Sequence, residues 1–115
     1  MEHPLTRTLP DGLITLGADE LAEENPYKPG RVSPRALYKA EEFRVTELAF
    51  DKGVVLSEHS SPHAVIVQVV TGDIEVEVGE ERWRLGAGAL LHLEPGLEHA
   101  VTALEAARII LIFLR

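Results

Sequence analysis

Residues 74–85, Ile74-Glu75-Val76-Glu77-Val78-Gly79-Glu80-Glu81-Arg82-Trp83-Arg84-Leu85, read as a β-hairpin. With Gly79-Glu80 as a two-residue turn, glycine takes the first central position, where φ is positive. Ile74 then faces Leu85 and Val76 faces Trp83, while Glu75 lies opposite Arg84 and Glu77 opposite Arg82. This single register gathers the apolar side chains on one face and matches opposite charges on the other, and a slip by one residue undoes both. Exposed ion pairs of this kind are worth about 0.2–1 kcal/mol each at best, so they specify register more than they stabilise. The same register assigns Trp83 to the core.

Short strands extend in both directions. Upstream, Phe43, Val45, Glu47 and Ala49 alternate with Arg44, Thr46, Leu48 and Phe50, an imperfect period of two that suits a strand covered on both faces. Asp51-Lys52-Gly53 turns the chain, and Val54 to Glu58 forms the next strand. Ser60-Ser61-Pro62 then interrupts it, because proline cannot donate to a ladder. Ala64 to Val70 is an apolar strand whose one polar residue is Gln68. Downstream, Ala89 to Leu93 and His99 to Leu104 are strands joined by Glu94-Pro95-Gly96. Ile109 to Leu114 is apolar at every position, so both faces of that strand need cover. The core covers one face. The other packs on a second sheet, the N-terminal arm or another subunit, which leads to the expectation of a homodimer. Many short strands with almost no helix indicate an all-β protein with a closed or sandwiched antiparallel structure.

The organisation changes near residue 35. Residues 1–35 carry Pro4, Pro10, Gly12, Gly17, Pro26, Pro29, Gly30 and Pro34, punctuation dense enough to leave room for one short helix, Asp19 to Glu24. They read as an irregular arm that lays Leu13, Ile14, Leu16 and Leu21 against the barrel of its own or a second chain. Residues 36–115 read as a single domain. A chain of 115 residues is long enough to bury a self-supporting core.

Composition excludes several function classes. With no cysteine, thiol nucleophiles, disulfides and thiolate metal sites are all removed, and any metal must take nitrogen and oxygen ligands. A formal net charge of −8 argues against nucleic acid as a partner, which requires a basic surface. No apolar run approaches the roughly 18 residues of a membrane span, and the N-terminus lacks the pattern of a secretory signal. A cytoplasmic protein is expected.

Chemistry is concentrated in His59, His63 and His99, each at a set distance from glycines. His59 follows Gly53 with five residues between, Gly72 closes the next strand, and His99 stands three residues beyond Gly96 and eleven beyond Gly88. With these motifs the chain resembles the cupins, small β-barrels of jelly-roll (double-stranded β-helix) topology. The first cupin motif, G-x5-H-x-H-x3-E-x6-G, meets Gly53, His59, Ser61, Val65 and Gly72, so three of five positions match. The second, G-x5-P-x-G-x2-H-x3-N, meets Gly88, Glu94, Gly96, His99 and Ala103, with Pro95 displaced by one. The resemblance spans about residues 36 to 114.

In metal-binding cupins, the resemblance implies, two histidines and a carboxylate of the first motif join the histidine of the second around one divalent ion. Here Ser61 and Val65 replace two of those ligands. His63 enters as a substitute if the loop bends back past Pro62, and Gln68 if a bulge turns it inward. A site of His59, His63 and His99 would suit zinc, iron, nickel, copper or manganese. The competing reading is a metal-free pocket of hydrogen-bonded histidines.

Val65, Val67, Val69, Ile74 and Val76 are expected to line an apolar pocket with the histidines at one end, so that Val65, Val67, Gln68, Val76 and His99 contact a small, partly apolar ligand. His92 reads as a strand histidine and His3 as part of the terminus. Ser57, Ser60 and Ser61 lack a nucleophile elbow, Glu94 and Glu98 read as loop carboxylates, and no phosphate-binding glycine loop or nucleotide fingerprint occurs. Three function classes follow: a small-molecule binding module, a metal-dependent enzyme of the dioxygenase, isomerase or lyase type, and a metal-free interaction protein.

Overall fold

A computed structural model describes residues 12–115 of the chain. One helix, α1 (Ala18–Glu24), precedes nine strands: β1 (Val32–Lys39), β2 (Phe43–Phe50), β3 (Val55–His59), β4 (Val65–Thr71), β5 (Asp73–Val78), β6 (Glu81–Gly86), β7 (Leu90–Leu93), β8 (His99–Ala103) and β9 (Ala107–Leu114). They form two antiparallel sheets, a five-stranded one ordered β1-β2-β9-β4-β7 and a four-stranded one ordered β3-β8-β5-β6. This is the jelly-roll arrangement expected from the sequence. His3 and the first residues of the arm lie outside the described residues.

The hairpin forms in the expected register, with Ile74 opposite Leu85, Val76 opposite Trp83, Glu75 opposite Arg84 and Glu77 opposite Arg82. Gly79 has φ 58° and, among the described residues, none other than glycine has positive φ, so the turn places its one left-handed residue where only glycine is comfortable. Two details differ. Trp83 shares a face with buried Val76, but β6 is the outermost strand of its sheet, and Trp83 remains 38% exposed. Arg84 turns to Asp73 rather than Glu75, donating from Nε at 2.9 Å; that hydrogen bond, with the attraction of opposite charges, holds the Asp73 carboxyl below the usual carboxylate range. Arg82 and Glu77 pair as expected, at 3.7 Å.

The core lies between the sheets. Leu48 and Phe50 of β2, Val65, Val67 and Val69 of β4, and Ile109 of β9 meet Ile74, Val76, Val101 and Ala103 of the smaller sheet. Gly72, between β4 and β5, is pressed against the β8–β9 turn: a Cβ there would overlap the backbone of Ala106 and Ala107, and its φ of 90° excludes other residues a second time. The turn needs glycine for both reasons.

The outer face of β9 is covered by the chain itself. Leu21 of α1 packs with Val45 and Ile110, and Ile14, Leu37, Phe43, Val70 and Ile112 surround them. Leu13 and Leu16 instead face solvent. Beneath this cover runs a buried ion pair that the alternation pattern does not reveal. Arg108, 1% exposed, donates through Nη1 to Glu47, 0% exposed, and also to the carbonyls of Leu21 and Asn25. Arg35 reaches the same Glu47 through Nε at 3.3 Å. The Tyr27 ring lies 4.7 Å beneath the Arg108 guanidinium. Asn25 ties back to the carbonyl of Ser33 at 2.9 Å.

β1 is the element that the sequence pattern misses. It runs through Pro34 and crosses residue 35, where the pattern changes from arm to strands. Pro34 is tolerated because β1 is an edge strand, paired only with β2.

Candidate functional site

The strand registers set the site out in tiers. Across the larger sheet one tier runs Arg44–Phe113–Val65–Leu93, each residue paired with the next across neighbouring strands. In the smaller sheet His59 pairs with His99 at the corresponding end. One tier deeper, Leu111, Val67 and Leu91 face Leu56, Val101 and Val76. Below that, Phe50, Val69, Ile74, Ala103 and Ala107 are packed solid. The result is a cavity of about 230 Å³ that enters the protein at the histidine end and is closed at the other. Val65, Val67, Val76 and His99 line it as expected, whereas Val69 and Ile74 belong to its closed floor.

His59 reaches this cavity because β3 is irregular. Leu56 pairs with Val101, yet His59, three residues on, pairs with His99, only two residues back from Val101. The extra residue reverses the alternation, so His59 joins Leu56 on the inner face instead of pointing out. The two imidazoles then lie with ring centroids 4.2 Å apart and planes at 57°. The carbonyl of Ser57 stands 3.1 Å from His59 Nδ1 and that of Leu97 3.0 Å from His99 Nδ1. A carbonyl only accepts, so each Nδ1 carries a proton, and in the neutral form of such a ring Nε2 keeps its lone pair as an acceptor. Burial, opposed by the Leu97 hydrogen bond and reinforced by the proximity of His59, pushes the His99 pKa down and keeps the ring neutral at pH 7.

The other proposed ligands do not join them. His63 is absent from the cavity lining, and its backbone N–H donates to Ser61 Oγ at 3.0 Å, a local turn that leaves the imidazole elsewhere. Gln68 sits in regular register between Val67 and Val69, so no bulge turns it inward and it lies exposed on the opposite face. His92, likewise, is exposed on β7. Among the described residues no group of three or more His, Cys, Asp or Glu side chains could hold a metal ion. Two imidazoles fall short of the three protein ligands that even an open zinc site uses. The donor set present does not fit a resident metal ion.

Arg44 is the site residue that sequence reading missed. Its signal was parity: Arg44 shares its face of β2 with Leu48 and Phe50, both core residues. The guanidinium lies 4.2 Å from the centroid of the Phe113 ring, at the cavity mouth.

A family profile described as "Cupin domain" matches residues 46–113. The chain belongs to the cupin family. Among solved structures, this cupin is similar to a conserved protein of unknown function from Streptococcus pyogenes, with a TM-score of 0.76 and 25% identity over 88% of this chain and 89% of that one. It is also similar to KdgF from Halomonas sp., with a TM-score of 0.70 and 28% identity over 76% and 82% of the two chains. A cupin superfamily protein from Desulfitobacterium hafniense shares the fold at 17% identity, with a TM-score of 0.76 over 82% and 86%. No curated protein matches the chain. No helix among the described residues is long and apolar enough to cross a membrane.

Proposed function

We propose that this cupin binds a small molecule in the cavity between its sheets, with the apolar body of the ligand against β4, β7 and β9 and a polar group at the mouth beside His59 and His99, and that it does so without a metal ion of its own. The observation behind this reading is the segregation of the cavity: its walls are aliphatic and its polar side chains collect at one end. Such a site gains affinity from apolar burial and orientation from a few fixed polar groups. The Nε2 acceptors of His59 and His99 suit a ligand hydroxyl or N–H donor.

Two measurements test the reading. Elemental analysis of the purified protein should find no stoichiometric metal in the wild type or in the His59→Ala, His99→Ala double variant; one equivalent in the wild type that is lost in the variant overturns the metal-free reading. A thermal-shift screen of small carboxylates, phenols and sugars should find stabilising compounds. At about 100 times Kd a ligand adds about 2.7 kcal/mol, or roughly 10 °C for a chain of this size. Leu91→Trp, which fills the cavity, should abolish that shift, and a shift that survives the substitution places binding elsewhere.

A further inference from the structure

We propose that Arg44 is an anion anchor at the cavity mouth and that the ligand class it selects is a small carboxylate with an apolar body. The inference rests on the binding reading above and adds the chemical class. In a chain of net charge −8, Arg44 is the one cavity-lining residue among those described that carries a full charge. Its guanidinium makes no hydrogen bond and no ion pair with any described residue; its one specific contact is the face of the Phe113 ring. This cation–π contact holds the guanidinium at the mouth without using any of its N–H donors, which stay available in the fork geometry that matches a carboxylate.

Two neighbouring features sharpen the argument. Lys39 lies directly opposite Arg44 in the β1–β2 register and has no ion-pair partner among the described residues either. Two like charges opposite one another on adjacent strands repel, and an anion seated at the mouth relieves that repulsion. The imidazoles are the weaker candidates for this part. Their Nδ1 protons are committed to the Ser57 and Leu97 carbonyls, and burial disfavours a charge on His99. A carboxylate at the mouth therefore finds its donors on Arg44, while the apolar walls below exclude a ligand that is charged along its length.

The test is calorimetric binding of three probes of one shape: phenylacetate, 2-phenylethanol and phenethylamine. Phenylacetate should bind the wild type most tightly, weaken by about 10-fold or more in Arg44→Met, and recover in part in Arg44→Lys. Its affinity should fall with added salt, while that of 2-phenylethanol should be the same in wild type and Arg44→Met. Melting curves of the unliganded variants separate loss of the anchor from loss of the Phe113 contact. Equal phenylacetate affinity in wild type and Arg44→Met, or tighter binding of the amine, overturns the proposal. If 2-phenylethanol binds and Leu91→Trp blocks it, the pocket stands while the anchor falls. If none of the three binds at any salt concentration, both fall together.

Discussion

Replacing Arg108 with methionine should remove the cation that the N-terminal segment is built upon. The side chain is 1% exposed and its Nη1 serves Glu47, the Leu21 carbonyl and the Asn25 carbonyl at once. Breaking one partner of a buried ion pair costs about 3–5 kcal/mol, because the remaining charge stays buried without compensation. Arg35 still reaches Glu47 at 3.3 Å, which places the loss near the lower limit. About 3 kcal/mol corresponds to a fall in Tm of roughly 12 °C for a domain of this size. The double variant Glu47→Leu, Arg108→Met removes both charges and leaves mainly the Asn25 carbonyl unpaired, since the Leu21 carbonyl also accepts from Asn25 N–H at 3.0 Å. Its cost should be about 1–2 kcal/mol, less than that of Arg108→Met alone. Urea unfolding of wild type, both single variants and the double variant measures the cycle. A loss below about 1 kcal/mol in Arg108→Met, or a double-variant cost equal to the sum of the singles, refutes the reasoning.

Two further substitutions probe other parts of the argument. Gly72→Ala should lower stability by at least about 2 kcal/mol, because the added methyl meets the Ala106–Ala107 backbone at a left-handed φ; a Tm drop of roughly 8 °C or more in a thermal melt supports it, and an unchanged Tm refutes it. His99 should make stability pH-dependent. Its folded-state pKa is depressed, so the unfolded chain binds the proton more readily and stability falls as pH drops below about 6.5, levelling off once the folded-state pKa is passed. Comparing Tm against pH for wild type and His99→Gln isolates this component, and parallel curves would sink it.

The hairpin was legible because turn length, alternation and charge all specify one register, each independently of the rest of the fold. Trp83 was misplaced because its burial depends on which strand lies beyond β6, and strand order is not written locally. His59 was visible as a motif residue, but its inward aim comes from an irregularity in β3 that has no glycine or proline to mark it. Arg108 escaped notice because its partner, Glu47, lies 61 residues away in sequence. Such a pair looks like two isolated charges until β2 and β9 are laid side by side. His63 and Gln68 lie outside the cavity lining, His63 in a local turn closed on Ser61 Oγ and Gln68 on the outer face of a regular ladder, neither of which the spacing of the motif specifies.

The backbone N–H of Gly96 donates to the carbonyl of Ser61 at 2.7 Å, joining the turn after β3 to the turn before β8. Those turns adjoin the two imidazoles, His59 at the end of β3 and His99 at the start of β8, which also face each other in the β3–β8 ladder, so a displacement of one strand end carries over to the other. A compound entering between the sheets thus encounters a rim that yields as one piece. The Gly96–Ser61 bond, worth about 1 kcal/mol net, extends the pairing of β3 and β8 past their last ladder residues and stiffens the histidine end of the smaller sheet.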